Sequence, residues 1–172
     1  MAGVYMPISA QGGNLLYALI RASRPETVVE FGTSFGISTI YLAAAVADNG
    51  TGRVVTTESS ESKIAAAREN FREAGVADVV TVLAGDALET LGEVSGPIGV
   101  VLLDGWKDLY VPVLKMLEPK LAPGAIVVAD DTQMANLKGY LEYVREPSNG
   151  YVTVAFPVED NMEISCYTGV SD

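Results

Sequence analysis

The 172-residue chain contains no histidine and a single cysteine, Cys166. Without imidazole there is no Ser-His-Asp or Cys-His catalysis and no His-ligated zinc or haem, so acid-base or metal chemistry falls to carboxylates, Lys or Tyr. One cysteine cannot close an internal disulfide, and nothing points to an oxidising compartment. Basic residues are also scarce: 11 Lys and Arg stand against 22 Asp and Glu, a formal charge of −11. That balance opposes nucleic-acid binding, whose affinity rests on neutralising phosphates. No apolar run approaches the roughly 18 residues of a membrane span. Met1 to Pro7 lacks the basic segment and long apolar run of a secretion signal. The expectation is a cytoplasmic protein whose partner is a small molecule, not a nucleic acid or a membrane.

What is present is an alternation of strand-length apolar runs with longer stretches of helical period, the pattern of a parallel sheet with crossover helices. Strands are expected at Thr27 to Phe31, Arg53 to Glu58, Val79 to Ala84, Gly99 to Asp104 and Ala125 to Asp130. Helices are expected near Gly13 to Ala22, Gly36 to Ala47, Ser60 to Ala74, Asp108 to Leu117 and Asn136 to Val144. Gly75 is placed to end the third helix in a left-handed turn. Tyr151 to Phe156 and Met162 to Thr168 are joined by too few residues for a parallel crossover, so they should form an antiparallel hairpin. The length suits one domain, and residues 1–172 read as a single α/β unit: a seven-stranded, mostly parallel Rossmann-like sheet with helices on both faces. In such sheets ligands bind beyond the carboxyl ends of the parallel strands.

Three turns at that edge attract notice. The first strand runs into Glu30-Phe31-Gly32-Thr33-Ser34-Phe35-Gly36. A dinucleotide fingerprint starting at Gly32 would need glycine where Ser34 and Ile37 stand, so a pyrophosphate cradle and a nicotinamide-dependent oxidoreductase are disfavoured. The glycines serve either a ligand's approach or close strand-to-helix packing. Glu58 ends the second strand, where an acid either holds ribose hydroxyls or interacts with the next helix's dipole. Gly85-Asp86-Ala87 follows the third strand, where a loop could contact an adenine. An acid, an acid and a Gly-Asp pair, in that order, suit an adenosyl cofactor with a cationic sulfonium better than a diphosphate.

The fourth and fifth strands end in Asp104 and Asp130, and neighbouring strands lie about 4.8 Å apart. With Asp131, and with Glu163 at the start of the final antiparallel strand, four acids should face one pocket and call for a divalent cation or a cationic ligand. Oxygen-only ligation favours Mg²⁺, with Mn²⁺ or Ca²⁺ as alternatives. Individually, Asp131 and Glu163 need be no more than a helix cap and a solvated acid. Lys107 is either a surface lysine or, desolvated beside a dication, an amine able to act as a base. Trp106 either packs or forms one wall for a flat aromatic substrate.

The segment Leu103-Asp104-Gly105-Trp106-Lys107-Asp108-Leu109-Tyr110 resembles the D-x-W-K-D-x-Y segment of the metal-dependent catechol O-methyltransferases and their caffeoyl-CoA relatives, class I S-adenosylmethionine-dependent enzymes. The resemblance runs from about Tyr5-Met6 through Tyr167-Thr168-Gly169. It implies a methyltransferase domain over residues 1–172, with S-adenosylmethionine as cofactor and a small, catechol-like or phenolic acceptor. It implies metal ligation by Asp104, Asp130 and Asp131, Lys107 as general base, and Glu163, in Asn161-Met162-Glu163, on the second substrate hydroxyl. Cofactor contacts are implied at Ile8, Glu30, Gly32, Ser34, Gly36, Ser38, Glu58, Ser59, Gly85, Asp86, Ala87 and Asp104. Substrate contacts are implied at Met6, Trp106, Lys107, Asp131 and Glu163. Asp131 stands where the family typically has Asn, and Ala87 and Leu88 replace polar adenine-loop residues. Helices that precede Met6 in family members have no counterpart in this sequence, so the pocket is expected either to be more open or to be closed by a second subunit of a homodimer. A metal-independent methyltransferase and a non-catalytic cofactor-binding protein remain the alternatives.

Overall fold

The computed structural model describes residues 7–157 and 161–169. Strands β1 (Thr27–Phe31), β2 (Arg53–Glu58), β3 (Val80–Ala84), β4 (Ile98–Leu103), β5 (Leu121–Ala129), β6 (Tyr151–Phe156) and β7 (Met162–Tyr167) form one sheet in the order β3-β2-β1-β4-β5-β7-β6. The first five pair in parallel, and β7 pairs antiparallel with both β5 and β6. The expected hairpin is therefore present, with β7 inserted beside β5 and β6 on the outside.

The continuous apolar character of β1, β4 and β5 reflects burial on both faces. Val28, Val100, Leu102 and Val128 enter one core, covered by helices α1 (Ala10–Ser23), α2 (Ile37–Asn49) and α3 (Glu61–Glu73). Their neighbours Val29, Phe31, Val101, Leu103, Val127 and Ala129 point the other way, as a period of two requires. They meet α4 (Ala87–Thr90), α5 (Tyr110–Leu117) and α6 (Lys138–Arg145). Helix α1 starts earlier than its apolar period suggests because Ser9 caps it, accepting from the Gly12 amide at 3.0 Å. Helix α3 ends at Gly75 (φ 72°) with Val76 N–H to the Phe71 carbonyl and Gly75 N–H to the Arg72 carbonyl, a Schellman closure. The short α4 has no periodic signal; Asp86 creates it by capping the Leu88 amide at 2.8 Å. No helix among the described residues is long and apolar enough to cross a membrane.

Register fixes which residues share the ligand-binding edge. Leu83, Thr57, Phe31, Leu103 and Ala129 stand in one row across the sheet. One step on, at the carboxyl ends, come Ala84, Glu58, Gly32, Asp104 and Asp130. The hydrogen bonds Asp104 N–H to Phe31 O (2.9 Å) and Asp130 N–H to Leu103 O (3.0 Å) carry the ladder that one further step. Between β1 and β4 the chain order reverses, which makes this the topological switch point.

Candidate functional site

Asp104, Asp130 and Asp131 each offer a carboxylate oxygen, and the three lie within 4.8 Å of one another. Strand ends supply the first two. Asp131 reaches them because its backbone is left-handed (φ 59°), a conformation Asp and Asn tolerate better than other non-glycine residues. Its amide donates to Asp130 Oδ1 at 2.9 Å, which ties the turn to its neighbour. Burial, and then repulsion from Asp130, hold the Asp104 carboxyl well above the usual carboxylate range, against the opposing pull of Lys107.

Lys107 is the cation of this cluster. Its Nζ lies 2.8 Å from Asp131 Oδ2 and 3.5 Å from Asp104 Oδ1, and its side chain is only 11% exposed. Three carboxylates and one ammonium leave negative charge that a divalent cation would neutralise, and an all-oxygen donor set suits a hard ion such as Mg²⁺. The Lys107 ammonium also donates to the Tyr110 hydroxyl at 2.8 Å, and that hydroxyl donates to the Asp130 carbonyl oxygen at 3.3 Å. Burial and the nearby Asp104, Asp130 and Asp131 push the Tyr110 phenol far above its ordinary value, so it stays protonated. Tyr110 was legible only as part of a motif; its signal is the i,i+3 spacing from Lys107 across the turn that opens α5.

Glu163 does not join the cluster. It pairs with Ala129 on the sheet face covered by α6, is 1% exposed, and is gripped by Arg145 at 2.9 and 2.8 Å and by the Thr153 hydroxyl at 2.9 Å. The expectation of a fourth acid in the pocket followed strand direction and the family resemblance; side-chain alternation turns this acid inward to an ion pair with the half-exposed Arg145. Ile8 packs in the core with Leu16 and Met162 beneath the first turn of α1. Met6 lies outside the described residues. Trp106 stands beside the cluster, 66% exposed.

The turn after β1 makes the second half of the site. A Cβ on Gly32 (φ 105°) would sit 2.5 Å from the Asp104 carbonyl oxygen, and one on Gly36 would strike the Phe71 ring. Close packing thus accounts for both glycines. Ser34 donates its amide to Glu58 Oε2 at 3.0 Å, while Glu58 Oε1 takes the amides of Ser59 (2.9 Å) and Ser60 (3.0 Å). Glu58 therefore links the β1 and β2 turns and remains partly exposed at the edge. Gly85 (φ 129°) hydrogen-bonds back to Glu58 through the backbone; Asp86 is exposed and Ala87 buried. Pro7, Gly32, Ser34, Ser38 and Asp104 border a small cleft joining this turn to the carboxylates. A larger hollow at the opposite edge, between Val46, Gly52 and Val79, has Asp78 as its one acidic or basic side chain.

Glu30 lies fully buried beneath the turn. Ser38 donates to Oε1, and Thr39 and Thr56 donate to Oε2, each at 2.5 Å. Thr39 and Thr56 had no assigned role in the sequence; hydroxyls interrupting buried apolar runs were the available signal. Desolvation outweighs these three bonds and raises the Glu30 carboxyl from 4.5 to about 7. A carboxyl that holds its proton more tightly when folded favours the folded state at low pH and loses that advantage as pH rises from 4.5 to 7. Urea unfolding at a series of pH values should therefore show the wild type losing about 2 to 3 kcal/mol more than Glu30→Gln between pH 5 and pH 8. Parallel pH curves would contradict this.

Residues 29–132 match a family described as a methyltransferase domain. The chain belongs to the class I S-adenosylmethionine-dependent O-methyltransferase family. This family member is 38% identical over 125 residues to a catechol O-methyltransferase of Mycobacterium tuberculosis, covering 72% of this chain and 56% of that one. It is 29% identical over 178 residues to catechol O-methyltransferase B of Danio rerio, covering 95% and 66%. The chain thus spans less than two thirds of these relatives' length. Cofactor-bound Rv0187 from MTB superimposes with a TM-score of 0.88 at 29% identity, covering 96% of this chain and 83% of that one. The O-methyltransferase TomG from Streptomyces achromogenes, in complex with SAM, gives 0.85 at 25% identity, covering 94% and 82%.

Proposed function

We propose that this chain transfers a methyl group from S-adenosylmethionine to a hydroxyl of a small aromatic acceptor carrying vicinal hydroxyls. The observation that carries the reading is the convergence of Lys107 with Asp104, Asp130 and Asp131 at the switch point of this family's sheet. The donor set suits Mg²⁺, and Asp104, Asp130 and Asp131 would hold it. When bound, S-adenosylmethionine supplies an electrophilic sulfonium methyl, and Mg²⁺ supplies positive charge that orients the acceptor and acidifies its hydroxyl.

The protein's own part is positioning and proton transfer. Lys107, as the neutral amine, accepts the acceptor's hydroxyl proton at Nζ. Glu58, next to Ser59, is available to the ribose hydroxyls, and the Gly85-Asp86-Ala87 turn to the adenine. Trp106 offers its exposed indole as a wall for the acceptor ring. Glu163 lies outside the carboxylate cluster, held by Arg145 and Thr153. Calorimetric titration with S-adenosylhomocysteine and with NAD tests the cofactor assignment. Saturable binding of S-adenosylhomocysteine and none of NAD is expected; the reverse would overturn the reading.

A further inference from the structure

We propose that Tyr110 is the positioning residue of Lys107: its phenolic oxygen holds one N–H of the amine and so sets the direction of the remaining positions on nitrogen. The inference rests on the proposed role of Lys107. A phenol has one proton, and that of Tyr110 is committed to the Asp130 carbonyl oxygen at 3.3 Å. Only an acceptor lone pair is then left to face Lys107 Nζ, 2.8 Å away. The neutral amine carries two N–H bonds and one lone pair. With one N–H on Tyr110 and the other on Asp131, the third position on nitrogen, on the side of the more distant Asp104 Oδ1 (3.5 Å), is where the lone pair takes the acceptor's hydroxyl proton.

The phenol can impose this direction because packing fixes its ring. Tyr110 has no exposed surface, and its ring is wedged edge-on between Phe31 of β1 (centroids 6.3 Å, 76°) and Tyr140 of α6 (5.6 Å, 88°). The lysine stem, with four rotatable methylenes, has no comparable rigidity of its own. The same ring lies 5.1 Å from Nζ, so its π-face also attracts the ammonium that forms when the amine takes the proton. Lys107 and Tyr110 sit three residues apart on the turn that opens α5, which brings the flexible group over the fixed one.

Tyr110→Phe keeps the ring and removes the oxygen. It is expected to lower kcat roughly ten- to hundredfold, the equivalent of one hydrogen bond to a charged group, with KM for both substrates unchanged. In the full chain, lysine-selective ¹⁵N NMR of the ε-ammonium groups supplies a readout independent of turnover. The Lys107 resonance, assigned by its absence in Lys107→Ala, is expected to shift or broaden in Tyr110→Phe. Tyr140→Phe removes a hydroxyl from the same aromatic cluster and is expected to leave both kcat and the resonance as in the wild type. An unmoved resonance with kcat within twofold of wild type in Tyr110→Phe overturns the proposal, as does an equal loss in Tyr140→Phe. If the wild type methylates no acceptor, the functional reading fails, and the resonance in Tyr110→Phe still decides whether Tyr110 holds Lys107.

Discussion

Lys107→Ala is expected to reduce methyl transfer roughly a hundred- to ten-thousandfold, the range associated with loss of a positioned acid or base. Binding of S-adenosylhomocysteine is expected to survive, because Lys107 belongs to the carboxylate cluster and not to the turns after β1 and β2 that face the cofactor side. The size of the effect follows from the lack of a substitute. The chain has no histidine, and Tyr110, the nearest other titratable hydroxyl, is held protonated by burial among acids. The alanine variant also strips Asp131 and Asp104 of their cationic partner, at 2.8 and 3.5 Å, which leaves three acids facing one another. Single-turnover rates, measured alongside calorimetric binding, separate the chemical loss from any loss of cofactor. Turnover equal to wild type would remove the lysine from the mechanism.

Removal of divalent cations with EDTA is expected to cost on the order of a thousandfold in turnover, matching about 4 kcal/mol of lost transition-state stabilisation. Added Mg²⁺ should restore the wild type and fail to restore Asp130→Ala. The reason is electrostatic and visible in the apposition of the three acids. The Asp104 carboxyl is raised by burial and by Asp130, a cost that a cation at this point reverses. Asp130, only 4% exposed and bonded to the Asp131 amide, both donates an oxygen and shapes the turn that presents Asp131. EDTA-insensitive turnover would instead indicate a metal-independent methyltransferase.

Much of this site could be read before the fold was known, because strand ends are marked in sequence. Asp104, Asp130 and Glu58 each terminate an apolar run, and parallel pairing brings run ends to one edge whatever the detailed register. Glu163 shows the limit of that argument. Its strand begins at the correct edge, yet pairing with Ala129 puts its carboxylate on the α6 face, and sequence alone does not reveal that Arg145 waits there. Ile8 shows a related limit: that a residue just ahead of a helix cap packs under the helix is not marked in the sequence. Tyr110 and the Thr39 and Thr56 hydroxyls on Glu30 were hidden because their role is to hold another side chain, and that depends on tertiary contacts. The short helix α4 was hidden because a cap, and no apolar period, defines it.

The central claim is metal-assisted methyl transfer to a hydroxyl, and mass spectrometry of the full chain incubated with S-adenosylmethionine and a panel of catechols and simple phenols tests it most directly. The account predicts methylated catechols when Mg²⁺ is present, little product from phenols lacking a second vicinal hydroxyl, and loss of product in EDTA. Absence of product from every hydroxylated acceptor, with S-adenosylmethionine demonstrably bound, would contradict it.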